Sequence, residues 1–109
     1  TVIVNGNAVQ SCNTPVWSLT GAKIATIESL AGIDGGLDPV QDAFRRANAI
    51  QCGYCVPGII MTIRAALDEG GVGRDEILHR LAERHLCRCG TQPRVLDALD
   101  FLLDKDSAS

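Results

Sequence analysis

Four of the five cysteines fall into two close pairs: Cys52 and Cys55 are spaced C-x2-C, Cys87 and Cys89 are spaced C-x-C, and 31 residues lie between the pairs. Thiolates grouped in this way ligate metal ions or iron–sulfur clusters, and three readings compete. Four cysteines can hold one structural zinc, although zinc knuckles usually sit in β-turns and C-x-C is tighter than they prefer. Two disulfides would leave the surrounding prolines and glycines without a use, and C-x-C thiols bridge each other only with strain. A 2Fe-2S cluster accounts for more of the pattern, because each pair stands just before a segment that opens like a helix with proline, Pro57 and Pro93. Four thiolates around two ferric ions and two sulfides form a dianion, and free N–H groups at helix N-termini stabilise that charge. Gly53, Gly58 and Gly90 are expected to allow close backbone approach, and Arg88 adds positive charge between two of the thiols.

The elements that must position these residues change period part-way along the chain. Residues 1–12 read as a hairpin: Thr1 to Val4 alternates weakly, Asn5-Gly6 is a strong two-residue turn signal, and Ala8 to Ser11 returns as a second strand ending at Cys12. A two-stranded hairpin is marginal alone, so partner strands are expected upstream. Pro15 to Thr20 reads as loop or edge strand, Lys23 to Ile27 as a short strand, and the glycine-rich Gly32 to Asp38 as a connection. Four helices follow. The first is capped by Asp38 with Pro39 at N1 and Gln41 at N3, buries Val40, Ala43, Phe44 and Ala47, and ends near Asn48. The second runs from Pro57 to Gly70-Gly71 and the third from about Arg74 to Arg84. The fourth starts at Pro93, capped by Thr91, buries Val95, Leu96, Leu99, Leu102 and Leu103, and frays over Asp104 to Ser109. The predicted fold is therefore mainly α, a small four-helix bundle whose loops bring the two cysteine pairs together.

Composition narrows the partners. At 109 residues the chain is long enough for a real core, and with 46% hydrophobic but only 4% aromatic residues that core must come from Ile, Leu, Val and Ala, which suits packed helices. The net charge of -3, with ten scattered Lys and Arg, provides no basic stripe for nucleic acid. No apolar run reaches the ~20 residues of a membrane span. The expected compartment is the cytoplasm, with the periplasm open to a complex exported after folding.

The segments Gln51-Cys52-Gly53-Tyr54-Cys55-Val56-Pro57-Gly58 and Leu86-Cys87-Arg88-Cys89-Gly90-Thr91 resemble the small iron–sulfur subunit of the xanthine oxidase family of molybdenum hydroxylases, and the similarity runs over nearly the whole chain. Thr1-Val2-Ile3-Val4-Asn5-Gly6 is similar to the stretch after the third cysteine of that family's plant-type ferredoxin domain. Asp38-Pro39-Val40-Gln41 stands where the family often has His-Pro-Val-Gln. The resemblance implies two 2Fe-2S clusters per complete subunit, one in a ferredoxin-like (β-grasp) domain and one in the helical domain, the latter nearest a molybdopterin cofactor on a large partner subunit. Carried over by position, Cys52, Cys55, Cys87 and Cys89 match the helical-domain ligands. Gln51 matches the residue that hydrogen-bonds the pterin, and Cys89 the ligand closest to it. Cys12 matches the fourth ligand of the plant-type cluster, whose other three cysteines are not in this sequence. Residues 1–31 are then a β-hairpin remnant of the ferredoxin-like domain and 32–109 the 2Fe-2S-binding helical domain. Cys-Arg-Cys-Gly-Thr followed by Pro93-Arg94 looks more like the isoquinoline or nicotinate oxidoreductase type. That implies that electrons leave to a c-type cytochrome rather than to a flavin subunit.

Other residues read as structural. His85 is expected to close the third helix rather than ligate, and His79, Arg80, Glu83 and Arg84 to form its solvated face. Trp17 reads as core or subunit contact and Met61 as core. No Ser-His-Asp set, paired carboxylates or phosphate-cradling loop is present, so the chain carries no residues of its own for transforming an organic substrate. Its expected role is electron transfer; a zinc-stabilised interaction module is the competing class.

Overall fold

The computed structural model describes residues 1–31 and 36–108. Three short strands, β1 (Val2–Val4), β2 (Asn7–Val9) and β3 (Ile24–Ala25), precede four helices, α1 (Pro39–Arg46), α2 (Val56–Glu69), α3 (Arg74–Arg84) and α4 (Gln92–Ala108). The architecture is mostly helical with a small antiparallel sheet, in the order β2-β1-β3. Residues 32–35 of the expected connection lie outside the described residues.

The hairpin turns at Asn5-Gly6, where both residues take positive φ (51° and 87°), the conformation a two-residue turn between twisted strands requires. Val2 faces Val9 and Val4 faces Asn7, so the second strand is shorter than expected and gives way to a 3-10 turn at Ser11–Asn13 that carries Cys12. The expected need for a further strand is met partly from downstream, because β3 pairs Ala25 with Ile3 and Ile24 with Val4. Asn5 extends that pairing: its N–H donates to the Lys23 carbonyl and its side-chain oxygen accepts from the Lys23 N–H. Below the sheet, Ile3 is buried against Met61 and Ala65 of α2, so the strands use a helix face as their second layer. Pro15 to Thr20 forms a 3-10 turn over Val16–Leu19 rather than a strand, and Trp17 on it is 81% exposed, which corrects the core reading for this residue.

In the helical part α1 packs on α4 and α2, and α2 on α3. The core gathers Val40, Phe44, Ile63, Ile77 and Leu99, each fully buried. Asp38 caps α1 as expected: its carboxylate accepts from the Val40 N–H while Gln41 returns to the Asp38 N–H. Arg64 of α2 donates to the same carboxylate at 3.1 Å and to Asp68 at 2.9 Å, tying the start of α1 to α2. Two boundaries differ from expectation by one residue. α2 begins at Val56 with Cys55 as its N-cap, and α4 begins at Gln92, because a proline is as well accommodated at N2 as at N1. The α4 backbone stays helical through Ala108, where fraying was expected.

The end of α1 aims the chain at the first cysteine pair. Asn48 takes φ 53°, its N–H donates to the Arg45 carbonyl, and the N–H of Ala49 donates to the Phe44 carbonyl. These are the paired bonds of a Schellman stop, with asparagine in the left-handed position usually held by glycine. Ala49 is fully buried, so the chain is pinned there and releases Ile50 and Gln51 to the surface.

Candidate metal centre

Two loops meet at one end of the bundle. The first, from Gln51 to Cys55, turns at Gly53 (φ 87°) and runs into α2, so that Cys55 occupies the N-cap. The second, Leu86 to Thr91, turns at Gly90 (φ 79°) and runs into α4. Both glycines hold a left-handed φ that other residues rarely adopt, so the backbone conformation itself calls for them. Between the loops lies an open pocket of about 460 Å³ lined by Cys52, Tyr54, Cys55, Leu86, Cys87 and Arg88. Three of the four expected ligands therefore share one pocket with Arg88, the expected positive neighbour. Cys89, half-buried, is not among the residues lining it, and Gln51 is exposed beside Cys52.

The thiols differ in environment. Cys55 and Cys87 line the same pocket, and each influences the other's ionisation. The Thr91 hydroxyl lies 2.9 Å from the Cys87 sulfur, and the Thr91 N–H points at the same atom from 3.5 Å. Those two donors, with Cys55 as a third, bring the Cys87 thiol down to about 6. Burial pushes Cys55 up to about 11, and the negative charge on Cys87 adds to the effect. At neutral pH the order of the two values puts the thiolate on Cys87 rather than Cys55. On the first loop the Tyr54 N–H approaches the Cys52 sulfur at 3.5 Å, a long contact. Among the described residues no three Cys, His, Asp or Glu side chains converge on one point as ligands of a single ion would. A two-iron cluster spreads its four thiolates over two metal ions. The thiol set, the positive-φ loops and N–H groups aimed at sulfur fit such a cluster.

His85 supplies a clamp that sequence reasoning missed. It caps α3 through its backbone N–H to the Leu81 carbonyl, as a helix-closing residue should, but its ring turns away to α2. There the Thr62 hydroxyl stands 2.8 Å from His85 Nε2 and also 2.9 Å from the Gly58 carbonyl. A hydroxyl has one proton, and if it goes to that carbonyl, Nε2 is the donor to Thr62. Burial lowers the imidazole's proton affinity, and the charge of Arg84 adds to the effect. Gly58 is glycine because of this ring: a Cβ there would stand 2.9 Å from His85 Cε1 and 3.1 Å from Nδ1. Gly58 thus stands close to the His85 ring and, at 3.2 Å from a Cβ, to the Thr1 hydroxyl. Alanine at a helical glycine ordinarily gains about 0.5–1 kcal/mol, whereas overpacking costs about 1–3 kcal/mol. Gly58→Ala is thus expected to destabilise by about 1 kcal/mol, read from the denaturant midpoint at constant m; a stabilised variant would contradict the clamp.

The remaining candidates sit apart. Cys12 is exposed on its 3-10 turn by the sheet, and Met61 is fully buried as expected. On the face of α3 His79 Nε2 lies 3.0 Å from the Glu83 carboxylate and Arg80 pairs with Glu69 and Glu76, while Arg84 reaches across to the Ala8 carbonyl at 2.7 Å. Among the described residues no helix is long and apolar enough to cross a membrane.

A 2Fe-2S binding domain model matches residues 26–100, which takes in both loops and all four helical-domain cysteines. The chain belongs to this 2Fe-2S binding domain family. It is 42% identical over 99 residues to one of the subunits of nicotinate dehydrogenase from Pseudomonas putida, covering 91% of this chain and 62% of that one. Its fold is similar to quinoline 2-oxidoreductase from Pseudomonas putida 86, with a TM-score of 0.79 and 35% identity, over 90% of this chain and 60% of that chain. It is also similar to the aldehyde oxidoreductase of Desulfovibrio desulfuricans, with a TM-score of 0.76 and 32% identity, over 95% of this chain and 12% of that chain. The chain thus spans about three fifths of the curated relative it matches at 42% identity. Membership of a 2Fe-2S family does not favour the zinc reading.

Proposed function

We propose that this chain is the electron-transfer part of a molybdenum-dependent oxidoreductase, with a 2Fe-2S cluster on Cys52, Cys55, Cys87 and Cys89. The observation that carries this reading is the meeting of the two cysteine loops at the entries to α2 and α4, with Cys52, Cys55 and Cys87 around one pocket and N–H groups turned toward sulfur. When bound, the cluster supplies one-electron chemistry; the chain supplies position, hydrogen bonds and charge. The similarity to oxidoreductases such as nicotinate dehydrogenase and quinoline 2-oxidoreductase supports the setting.

In this reading a large partner subunit holds a molybdopterin, where the organic substrate is oxidised, and Gln51 and Cys89 face that cofactor. Tyr54 and Leu86, 94% and 90% exposed at the pocket mouth, fit a surface that a partner covers. Residues 1–31 form the end of a ferredoxin-like domain and 32–109 the helical domain, with Cys12 as one ligand of a second, plant-type cluster. A flavin subunit or c-type cytochrome takes the electrons onward. Size-exclusion chromatography with light scattering on material from the native source tests the assembly: elution with a large molybdenum-containing subunit is expected, and a lone small monomer would overturn it.

A further inference from the structure

Among the described residues two polar side chains are buried, Thr62 and Thr91, and both serve the cysteine loops. Thr62 holds the His85 ring, whereas Thr91, 1% exposed, turns its hydroxyl to the Cys87 sulfur. A buried hydroxyl without a partner is costly, so its choice of partner is informative. Thr91 is held firmly: its carbonyl accepts from the N–H groups of Arg94 and Val95 in the first turn of α4. From that position its own N–H and O–H both reach the same sulfur. A sulfur bound to iron has no proton to give, so both groups of Thr91 must donate to it.

We propose that Thr91 sets the reduction potential of the helical-domain cluster through this pair of hydrogen bonds, a role that rests on the reading of Cys87 as a ligand. One-electron reduction adds a negative charge to a cluster that is already a dianion, and part of that charge resides on the ligand sulfurs. Donors aimed at one of those sulfurs stabilise the reduced state more than the oxidised state and raise the potential. Thr91 acts through Cys87 and is a tuning residue rather than a catalytic one. The hydroxyl is the separable half of the device. Valine at this position keeps the shape and the N–H, and the neighbouring Ile59, Leu81 and Val95 offer it apolar surroundings.

The test is an EPR-monitored redox titration of the intact complex carrying wild-type chain, Thr91→Val or Thr91→Ser. At the wild-type midpoint the valine variant should show about a tenfold lower ratio of reduced to oxidised cluster, a midpoint lowered by about 59 mV for a one-electron couple. The serine variant, which keeps the hydroxyl, should return close to wild type. A valine variant with the wild-type midpoint overturns the proposal, as does an equal shift in both variants, which would assign the effect to packing. If the wild-type complex lacks this cluster's signal altogether, the ligand assignment itself fails, an outcome distinct from an unshifted midpoint.

Discussion

Alanine at any one of Cys52, Cys55, Cys87 or Cys89 is expected to abolish one 2Fe-2S EPR signal of the intact complex, while Cys12→Ala leaves that signal in place. The effect should be close to complete, because a thiolate removed from a four-thiolate set leaves an iron open to water, and the loops offer no ready replacement. His85, the nearest imidazole in sequence, has its Nε2 engaged with Thr62. Loss should be accompanied by two fewer irons and two fewer sulfides per chain. The fold itself should largely survive, since none of the five cysteines is among the fully buried core residues Val40, Phe44, Ile63, Ile77 and Leu99 and only Cys55 packs against that core. Circular dichroism on the same samples separates loss of ligand from loss of fold. Retention of the signal in any of the four variants would remove that cysteine from the set.

The second large effect concerns the chain stripped of iron. With Cys87 at about 6 and Cys55 at about 11, roughly nine tenths of Cys87 but only about one Cys55 in ten thousand is thiolate at pH 7. A low-pKa thiolate is intrinsically less nucleophilic, and a Brønsted slope of about 0.4–0.5 takes back some two of those four orders of magnitude. An aromatic disulfide reagent should therefore modify Cys87 about one to two orders of magnitude faster than Cys55 at pH 7. The sign with pH follows: the Cys87 rate falls as pH drops through about 6, while the Cys55 rate keeps rising above pH 9. Peptide mapping after timed quenching reads both sites. Equal rates at the two sites, or a Cys87 rate still climbing from pH 7 to 9, would contradict the hydrogen bonds from Thr91.

Much of the site was legible because its determinants are local. The C-x2-C and C-x-C spacings, with a proline opening each following helix, place thiols at two helix entries, and the structure puts helices there within one residue. The Asp38 cap and the Asn5-Gly6 turn were legible for the same reason, since each is closed by bonds within a few positions. What escaped depends on long-range packing. The short strand expected over Lys23 to Ile27 forms as Ile24–Ala25, but its pairing with β1, some twenty residues away in sequence, was not legible, because neither segment specifies that register locally. Trp17 reads as core or subunit contact by residue type, and its exposed place on a 3-10 turn rules out only the first. The His85 clamp joins positions 58, 62 and 85, and only the packing of α3 on α2 brings them together. Thr91 is a partial case: its capping position was legible, and the four-residue interval from Cys87 could have signalled the contact, but the aim of its hydroxyl at sulfur could not be read from spacing.

A redox-active two-iron cluster between the two loops is read out by the visible absorption spectrum of the anaerobically purified protein before and after dithionite, with iron, sulfide and zinc counted per chain. The expected result is broad absorption between roughly 400 and 600 nm that bleaches on reduction, with about two irons and two sulfides for the helical-domain site. A colourless protein with one zinc per chain would contradict it and leave a structural module with no part in electron transfer.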